Sequence, residues 1–230
     1  MLVFINKNMD IDKLLEKRKH VYEFYKDNIP SKHLIDSLLK RTWKVTPSKN
    51  QFMAYNVNVI APEHTNYKKQ IYNLCTFYEK DINKQNSISD VSDLNANLLC
   101  LLTAPYILIF TNRFEDSPNK EQLDQHNKGV YYEALDKNNF EELYDTNSLE
   151  VGMFSKTLTA LCLQNNLDVS YTKCFPFSVQ KWKEVLPFIQ TRPILVMSIG
   201  KGKTFKLPKL VNNEITDLRP EYKKIVKWIF

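Results

Sequence analysis

Two short apolar runs constrain the fold of this chain more than any other feature of its sequence. They read PYILIF at 105–110 and PILVMSI at 193–199, and both are rich in β-branched residues. A continuous apolar run of this length is typical of a strand that is buried on both faces. The two runs therefore predict central strands of a sheet, and the other elements must supply the layers that cover it.

The spacing of apolar residues predicts the elements around these strands. Val57 and Val59 alternate with asparagines within 55–60, which is the period of a strand with one buried face. Residues 167–172 predict a further strand. Apolar residues three and four positions apart predict helices at 11–20, 31–43, 67–84, 93–102, 150–163 and 221–229. Asn166 is expected to end the helix at 150–163.

Length and composition predict one soluble domain. The chain has 230 residues, of which 43% are hydrophobic and 25% charged, as in an ordinary globular protein. No repeat or Pro/Ser-rich linker divides it, so we interpret the polar stretch at 116–147 as an insertion in a single domain spanning 1–230. The apolar run at 2–5 is too short for a signal core or a membrane span. Since the four cysteines form no C-x-x-C motif, we expect a cytoplasmic protein.

Several familiar catalytic and binding motifs are missing from the sequence. It has only four glycines, and they form no G-x-G-x-x-G dinucleotide fingerprint. The run at 202–204 (GKT) resembles the end of a P-loop, but Met197 stands where that loop needs its first glycine. The four histidines are far apart and form no Cys/His cluster, so no metal is expected. The net charge of +6 comes from scattered basic residues, and nucleic acid is not an expected partner.

Two stretches near the N-terminus combine residue types that can bind an anionic ligand. In the first, at 17–24, the basic cluster KRKH precedes an aromatic pair. The second, at 46–55, is a polar turn that leads directly into a predicted strand. A solvated helix end and an ordinary helix-to-strand turn also explain these patterns. Composition alone therefore favours a structural interpretation of both stretches over a binding site.

The order of these stretches resembles that of the FMN-dependent nitroreductase family. Arg-basic-x-x-x-x-Phe at 18–24, a proline, a helix and then Pro47-Ser48 precede a Val-rich strand. In the family, the first segment reads Arg-Arg-Ser-x-Arg-x-Phe and the second Pro-Ser-x-x-Asn-x-Gln-Pro-Trp. Downstream, the runs at 151–153, 193–200 and 219–220 resemble the start of its long helix, its final core strand and its C-terminal basic-Pro element. The resemblance implies an α+β fold, with a central, mostly antiparallel sheet flanked by helices, in a homodimer.

The same resemblance implies an FMN site. It matches Arg18 to the arginine that grips the FMN phosphate and places Lys19 beside it, and it leaves Asn50 and Gln51 as alternative contacts of the flavin. The full set implied for FMN binding is Arg18, Lys19, His20, Tyr22, Pro47, Ser48, Lys49, Asn50, Gln51, Lys201 and Arg219.

Some positions in this set depart from the family pattern. His20 and Tyr22 replace a serine and a basic residue, and residues 53–55 (MAY) replace Gln, Pro and Trp. Arg219 is the implied second cation of the phosphate site, with the lysines at 201, 203 and 206 as alternatives. The glutamate and glycine that the family places near the flavin ring have no match around 174–175.

The resemblance implies an oxidoreductase that passes hydride from NADH or NADPH through FMN to a nitroaromatic, a quinone or a similar planar acceptor. No catalytic side chain is required, because the flavin carries the redox chemistry. An Arg fork with one or two lysines holds a phosphate without a glycine-rich loop. The main alternative is a nitroreductase-like fold that has lost flavin catalysis and serves as a binding or interaction protein. A basic nucleic-acid-binding protein is the third and weakest interpretation.

Overall fold

The computed structural model describes residues 11–48, 53, 55–85, 98–112, 140–173, 175–176, 178–189, 191, 193–205, 210–211 and 214–215. The helices are α1 (Ile11–Glu16), α2 (Lys32–Val45), α3 (Thr65–Gln85), α4 (Leu99–Thr103), α5 (Phe140–Gln164) and α6 (Val179–Val185). The strands are β1 (Val21–Phe24), β2 (Tyr55–Ile60), β3 (Tyr106–Asn112), β4 (Asp168–Thr172), β5 (Pro193–Gly200), β6 (Gly202–Phe205), β7 (Leu210–Val211) and β8 (Glu214–Ile215). None of the helices in these ranges has the length and apolar character needed to cross a membrane.

A four-stranded antiparallel sheet forms the centre of the fold, in the order β2-β3-β5-β4. The two apolar runs of the sequence are its inner strands, β3 and β5, which pair from Tyr106 opposite Ile199 to Thr111 opposite Pro193. Every residue of β3 is buried. The prediction of two central strands is confirmed.

Helices cover both faces of this sheet. Ile107 and Ile109 of β3 pack with residues of α3, α4 and α6, whereas Leu108 and Phe110 pack with residues of α2 and α5. The alternation arises because successive side chains of a strand point to opposite faces. On the second face, Phe110 meets Phe154 of α5 edge to face, with 5.8 Å between the ring centroids. The architecture is the α+β fold expected from the sequence.

A separate two-stranded ribbon joins β1 to β6. Phe24 anchors it, because its side chain is fully buried and its backbone N–H donates to Oγ1 of Thr103 in α4 at 3.0 Å. Gly200 is needed where β5 leads into the ribbon, since a Cβ there would lie 2.5 Å from Cδ of Pro105. The ribbon therefore has a fixed position against α4 and the central sheet.

Several predicted elements differ from the structure. The helix predicted at 11–20 ends at Glu16, and residues 21–24 are a strand because they pair with β6. The helix predicted at 150–163 begins at Phe140, so residues 140–147 of the interpreted insertion are helical. The described part of the helix predicted at 93–102 is α4. The sequence patterns missed α6 and β6, and the helix predicted at 221–229 lies outside the described residues.

Candidate functional site

The basic segment, residues 18–22, runs from the end of α1 into β1. The backbone N–H of Arg18 donates to the carbonyl of Leu15 at 3.1 Å and closes the last turn of α1. Arg18 and Lys19 are exposed, and within the described ranges no carboxylate forms a salt bridge with either. Two cations are therefore presented side by side to solvent.

Aromatic rings accompany these two cations. Nζ of Lys19 lies 5.7 Å from the ring centroid of Phe205 in β6, a distance at which the ring face attracts a cation. The rings of His20 and Tyr22 meet edge to face at 5.3 Å. The two residues that depart from the family pattern thus pack on each other.

The pairing of β1 with β6 determines where the predicted C-terminal cation lies. Val21 is opposite Phe205, and Phe24 is opposite Gly202, so Lys201 lies at the end of the ribbon remote from Arg18. The carbonyl of Lys201 accepts the N–H of Tyr25 at 2.9 Å, and its Nζ reaches the carbonyl of Asn166 at 3.4 Å. The structure does not bring Lys201 beside Arg18.

Arg18 lies near the C-terminal half of α5. Burial raises the pKa of Tyr171, and the positive charge of Arg18 is one of the influences that oppose the rise. The Tyr171 hydroxyl contacts the hydroxyl of Thr159 and donates to the carbonyl of Ser155 at 3.1 Å. Tyr171 is therefore part of the surroundings of Arg18, and the sequence analysis did not identify it.

The second predicted stretch is held to α5 by Ser48. Its Oγ lies 3.0 and 2.9 Å from the two carboxylate oxygens of Glu150, which it reaches as a donor. The same oxygen accepts the N–H of Met53 at 2.8 Å, and Met53 has a positive φ of 50°. Glu150 is only 5% exposed. Ser48 thus links α5 to Met53 just before β2, and its hydroxyl proton is already donated within the chain.

Glu150 is a residue that the sequence analysis missed. It lies on the apolar side of α5, one residue before Val151 and four before Phe154, and both of these are core residues. A carboxylate on a buried helix face needs a hydrogen-bonding partner. The position of Glu150 on the apolar face of the helix could therefore have predicted a polar contact there. Ser48 could not be recognised as that partner because it is 102 residues away in sequence.

The two stretches predicted to bind FMN, at 17–24 and 46–55, lie beside different positions along α5. Ser48 is anchored at Glu150, whereas Arg18 lies near Tyr171, whose hydroxyl contacts Thr159. Nine residues of helix separate Glu150 from Thr159, which corresponds to about 14 Å. Among the described residues of the two stretches, no contact joins them into a single cluster.

Several predicted residues lie outside the described ranges. They are Lys49, Asn50, Gln51 and Arg219, so the choice between Asn50 and Gln51 stays open. Pro47 is described and exposed. Phe175 is described and fully buried, with its ring edge to face against Trp182 at 5.6 Å, so its side chain belongs to the core.

The donor set fits a phosphate group at the basic segment. Arg18 supplies a planar fork and Lys19 a point charge, the usual partners of a phosphate monoester. No group of three or more His, Cys, Asp or Glu in the described part of the chain is arranged to hold a metal ion. The side chains of the basic segment are therefore of the kind that can bind an anion.

Comparison with known proteins extends this description. No protein-family model and no curated protein matches the sequence. Solved structures do match: a Staphylococcus epidermidis protein described as an NAD(P)H:FMN oxidoreductase has a TM-score of 0.66 at 15% identity, over 99% of this chain and 98% of that one. A nitroreductase-like protein from Streptococcus mutans has a TM-score of 0.63 at 18% identity, over 95% and 97%.

A third similar structure contains a flavin. It is an Exiguobacterium sibiricum protein, described as a nitroreductase, in complex with FMN, and it has a TM-score of 0.64 at 15% identity, over 98% of this chain and 100% of that one. Identities this low establish the fold alone. The chain has the nitroreductase fold, as the resemblance in its sequence implied.

Proposed function

We propose that this chain is a divergent nitroreductase-family enzyme, an FMN-dependent oxidoreductase that uses NADH or NADPH. The observation that carries the proposal is the coincidence of fold and site. The chain has the nitroreductase fold over nearly its full length, and Arg18 and Lys19 lie exposed just before β1, in the motif from which the resemblance implies phosphate binding. The acceptor is a nitroaromatic, a quinone or a similar planar molecule.

In this proposal the chain binds and orients the cofactor. The Arg18 fork binds the phosphate, and Lys19 adds a second positive charge beside it. The Ser48–Glu150 hydrogen bond holds Ser48 against α5, and the Ser48 hydroxyl also accepts the N–H of Met53 just before β2. FMN supplies hydride transfer when it is bound, so the chain needs no side chain that acts as a general acid.

The proposed enzyme is a homodimer. Trp43 and Val45 at the end of α2 and Leu149 of α5 are 58%, 67% and 66% exposed. A contiguous exposed apolar patch is typical of an interface, and in the proposed dimer a twofold axis would bury these three residues on both subunits. Ser48 follows α2, and Glu150 follows Leu149, so this apolar surface adjoins the turn. The separation of Arg18 from Ser48 within one chain is what a site shared between two subunits requires.

Subunit mixing tests the shared site. A chain with Arg18→Ala is mixed with a chain carrying Ser48→Ala and alanines at 49–51. In the heterodimer one site carries both lesions and the other carries none, so one of its two sites should bind FMN with wild-type affinity, whereas the Arg18→Ala homodimer should bind it about ten- to a hundredfold more weakly. A monomer in light scattering, or heterodimers that bind no FMN, would contradict the shared site.

The cofactor itself gives the decisive test of the function. The purified protein should absorb as a flavoprotein and release FMN when denatured, and stopped-flow mixing with NADH or NADPH should bleach the flavin absorbance. Oxidation by a quinone should then restore it in ping-pong fashion. Flavin that binds but is reduced by neither donor would contradict the enzymatic function.

One observation favours the second candidate, a nitroreductase-fold binding protein without flavin catalysis. The Ser48 hydroxyl is bonded within the chain, and His20 packs against Tyr22, so three of the implied contacts also have structural roles. A colourless protein with no affinity for added FMN would establish this alternative.

We also propose a cytoplasmic location for the enzyme. Cys75, Cys100 and Cys162 are buried in the core and form no disulfide. Burial raises the pKa of Cys162 to about 12, which keeps it protonated and unreactive. Free buried thiols are typical of proteins in a reducing compartment.

A further inference from the structure

A basic cavity lies apart from every residue implied in FMN binding. Its volume is about 410 Å³, within the range of small-molecule sites. Three segments form it: the loop after β1, the start of α3, and the end of α4 with the residues that follow. The lining residues are Lys26, Ile29, Pro62, Thr65, Lys68, Lys69, Leu102, Thr103, Ala104 and Pro105.

Lys68 is the unusual member of this lining. Its side chain is only 4% exposed, and its Nζ donates to the carbonyl of Pro105 at 2.7 Å and to that of Pro62 at 3.4 Å. An ammonium group has three N–H donors, so these two carbonyls leave one for a ligand in the cavity. A lysine held this way has little freedom left to lose when it binds an anion.

The charge around Lys68 is strongly unbalanced. Lys26 and Lys69 line the same cavity, and the described salt bridges, Asp36–Lys40 and Glu23–Lys203, involve neither of them. No acidic residue is among the lining residues. Glu63 is the carboxylate that acts on Lys68 electrostatically. Three ammonium groups against one carboxylate leave two positive charges at the cavity.

Apolar groups form the rest of the wall. Leu102, Ala104 and Pro105 line it from the α4 side, and Ile29 lies at its rim with 54% of its surface exposed. A site of this kind recognises a ligand with a charged head and a small apolar body. An inorganic ion would leave the apolar wall uncovered.

We propose that this cavity binds a small organic dianion of the phosphate monoester class, with the phosphate on Lys26, Lys68 and Lys69 and the organic group against Leu102 and Pro105. A phosphate monoester carries close to two negative charges at pH 7.5, which matches the two uncompensated charges of the cavity. This site is independent of the proposed flavin site, since none of the residues implied in FMN binding lines it.

The protonation of Lys68 agrees with the proposed site. Burial lowers the pKa of Lys68 to about 8, and Glu63 opposes that shift. The amine is therefore largely protonated at pH 7, although it is poorly hydrated. A bound dianion supplies the interactions that burial removed.

Calorimetric titration with phenyl phosphate at pH 7.5 tests the site. The wild-type chain should bind it, and Lys26→Gln/Lys69→Gln should weaken binding by about tenfold or more, because two charged contacts at the phosphate are lost. These two lysines are exposed, so the fold should tolerate the changes. Lys32→Gln/Lys183→Gln is the matched control: it removes the same charge from two exposed helical lysines outside the cavity, and it should bind like the wild type.

Two further titrations identify which chemical group binds and where on the protein it binds. Benzoate, which has one charge on a similar ring, should bind more weakly than phenyl phosphate, and equal affinity would overturn the dianion assignment. Binding of phenyl phosphate that Arg18→Ala removes is assigned to the basic segment at 18–22, and binding that the Lys26/Lys69 variant removes is assigned to the cavity. Three results would each overturn the cavity site, whatever the outcome for FMN. Arg18→Ala could lose phenyl phosphate binding while the Lys26/Lys69 variant keeps it, the control pair could lose as much affinity as the Lys26/Lys69 variant, or the wild type could fail to bind.

Discussion

The basic segment at 18–22 and the cavity around Lys68 hold positive charge in opposite ways. Arg18 and Lys19 extend into solvent, where water and salt weaken their long-range field. Lys68 is almost completely buried and bonded to two backbone carbonyls, where a charge interacts more strongly with its surroundings. The net charge of +6 is therefore the sum of cations in two different environments. In the proposed sites, the exposed Arg18 would recognise a phosphate by the geometry of its guanidinium fork, and the buried Lys68 would recognise one because the ligand compensates its charge.

The largest expected effect concerns the exposed segment. Arg18→Ala should weaken FMN binding by about ten- to a hundredfold, because a charge-assisted hydrogen bond contributes about 1.5–3 kcal/mol. Arg18→Lys should recover only part of the loss, since it keeps the charge without the planar fork. Quenching of flavin fluorescence during titration measures all three affinities.

The controls for this effect separate the two basic regions. Arg41→Ala removes an arginine from α2, and Lys26→Gln/Lys69→Gln removes charge from the cavity. Both should leave the FMN affinity at the wild-type value. An unchanged affinity in Arg18→Ala, or a comparable loss in the cavity variant, would show that the flavin phosphate does not bind at the basic segment.

The next effect is the pH dependence of stability that Lys68 introduces. Burial lowers its pKa to about 8 in the folded chain, below the value of about 10.4 for an unfolded lysine. Below pH 8 both states are protonated, so the cost of burying the charge is fully present. Between pH 8 and about 10 the folded state loses the proton first, and the free energy of unfolding should rise by on the order of 1 kcal/mol, after allowance for screening by solvent.

Comparison with Lys68→Met isolates this contribution. Urea unfolding at pH 7.5 and pH 10 should show the wild type gaining stability relative to the variant as pH rises, because all other groups cancel in the difference. Glu63 acts on Lys68 electrostatically, Lys26 and Lys69 line the same cavity, and His64 lies one helical turn before Lys68. Lys69→Met, on the exposed neighbour, should show no such trend. Parallel curves for wild type and Lys68→Met would mean that the buried amine keeps an ordinary pKa.

The central sheet was predictable because local pattern and tertiary environment agree there. Apolar and polar residues alternate within 55–60, and the runs at 105–110 and 193–199 are continuously apolar. The sequence of each strand therefore indicates by itself which of its faces are buried. Asn166 was correctly expected to end α5, and it adopts a φ of 57°, a conformation that asparagine tolerates. In contrast, β6 has the sequence GKTF, which has no strand pattern and is extended only because β1 pairs with it.

The candidate sites likewise depend on contacts between residues that are distant in sequence, which a local sequence pattern does not predict. Arg18 and Ser48 were identified by the order of short motifs, but their separation along α5 depends on the Glu150 and Tyr171 contacts, which join residues distant in sequence. Lys68 lies in a Lys-Lys pair that is common on helices. Only its position three residues before Ile71 and seven before Cys75, both core residues, distinguishes it from exposed Lys69. A helix-face analysis of charged residues would have found it.

The smallest expected effect is the coupling energy of a salt bridge across the β1–β6 ribbon, and its salt dependence tests whether the charges of the ribbon are solvated. Glu23 and Lys203 form a salt bridge of 3.0 Å across β1 and β6, with side chains 28% and 48% exposed. A double-mutant cycle with Glu23→Gln and Lys203→Met should give a coupling of about 0.2–1 kcal/mol at low salt. It should vanish at 1 M salt, where the screening length is about 3 Å. The exposed Asp36–Lys40 pair, at 2.7 Å within α2, is the matched comparison and should couple no more strongly. A coupling that survives 1 M salt would place the ribbon charges in a desolvated setting like that of Lys68, and would remove the contrast between the two basic regions.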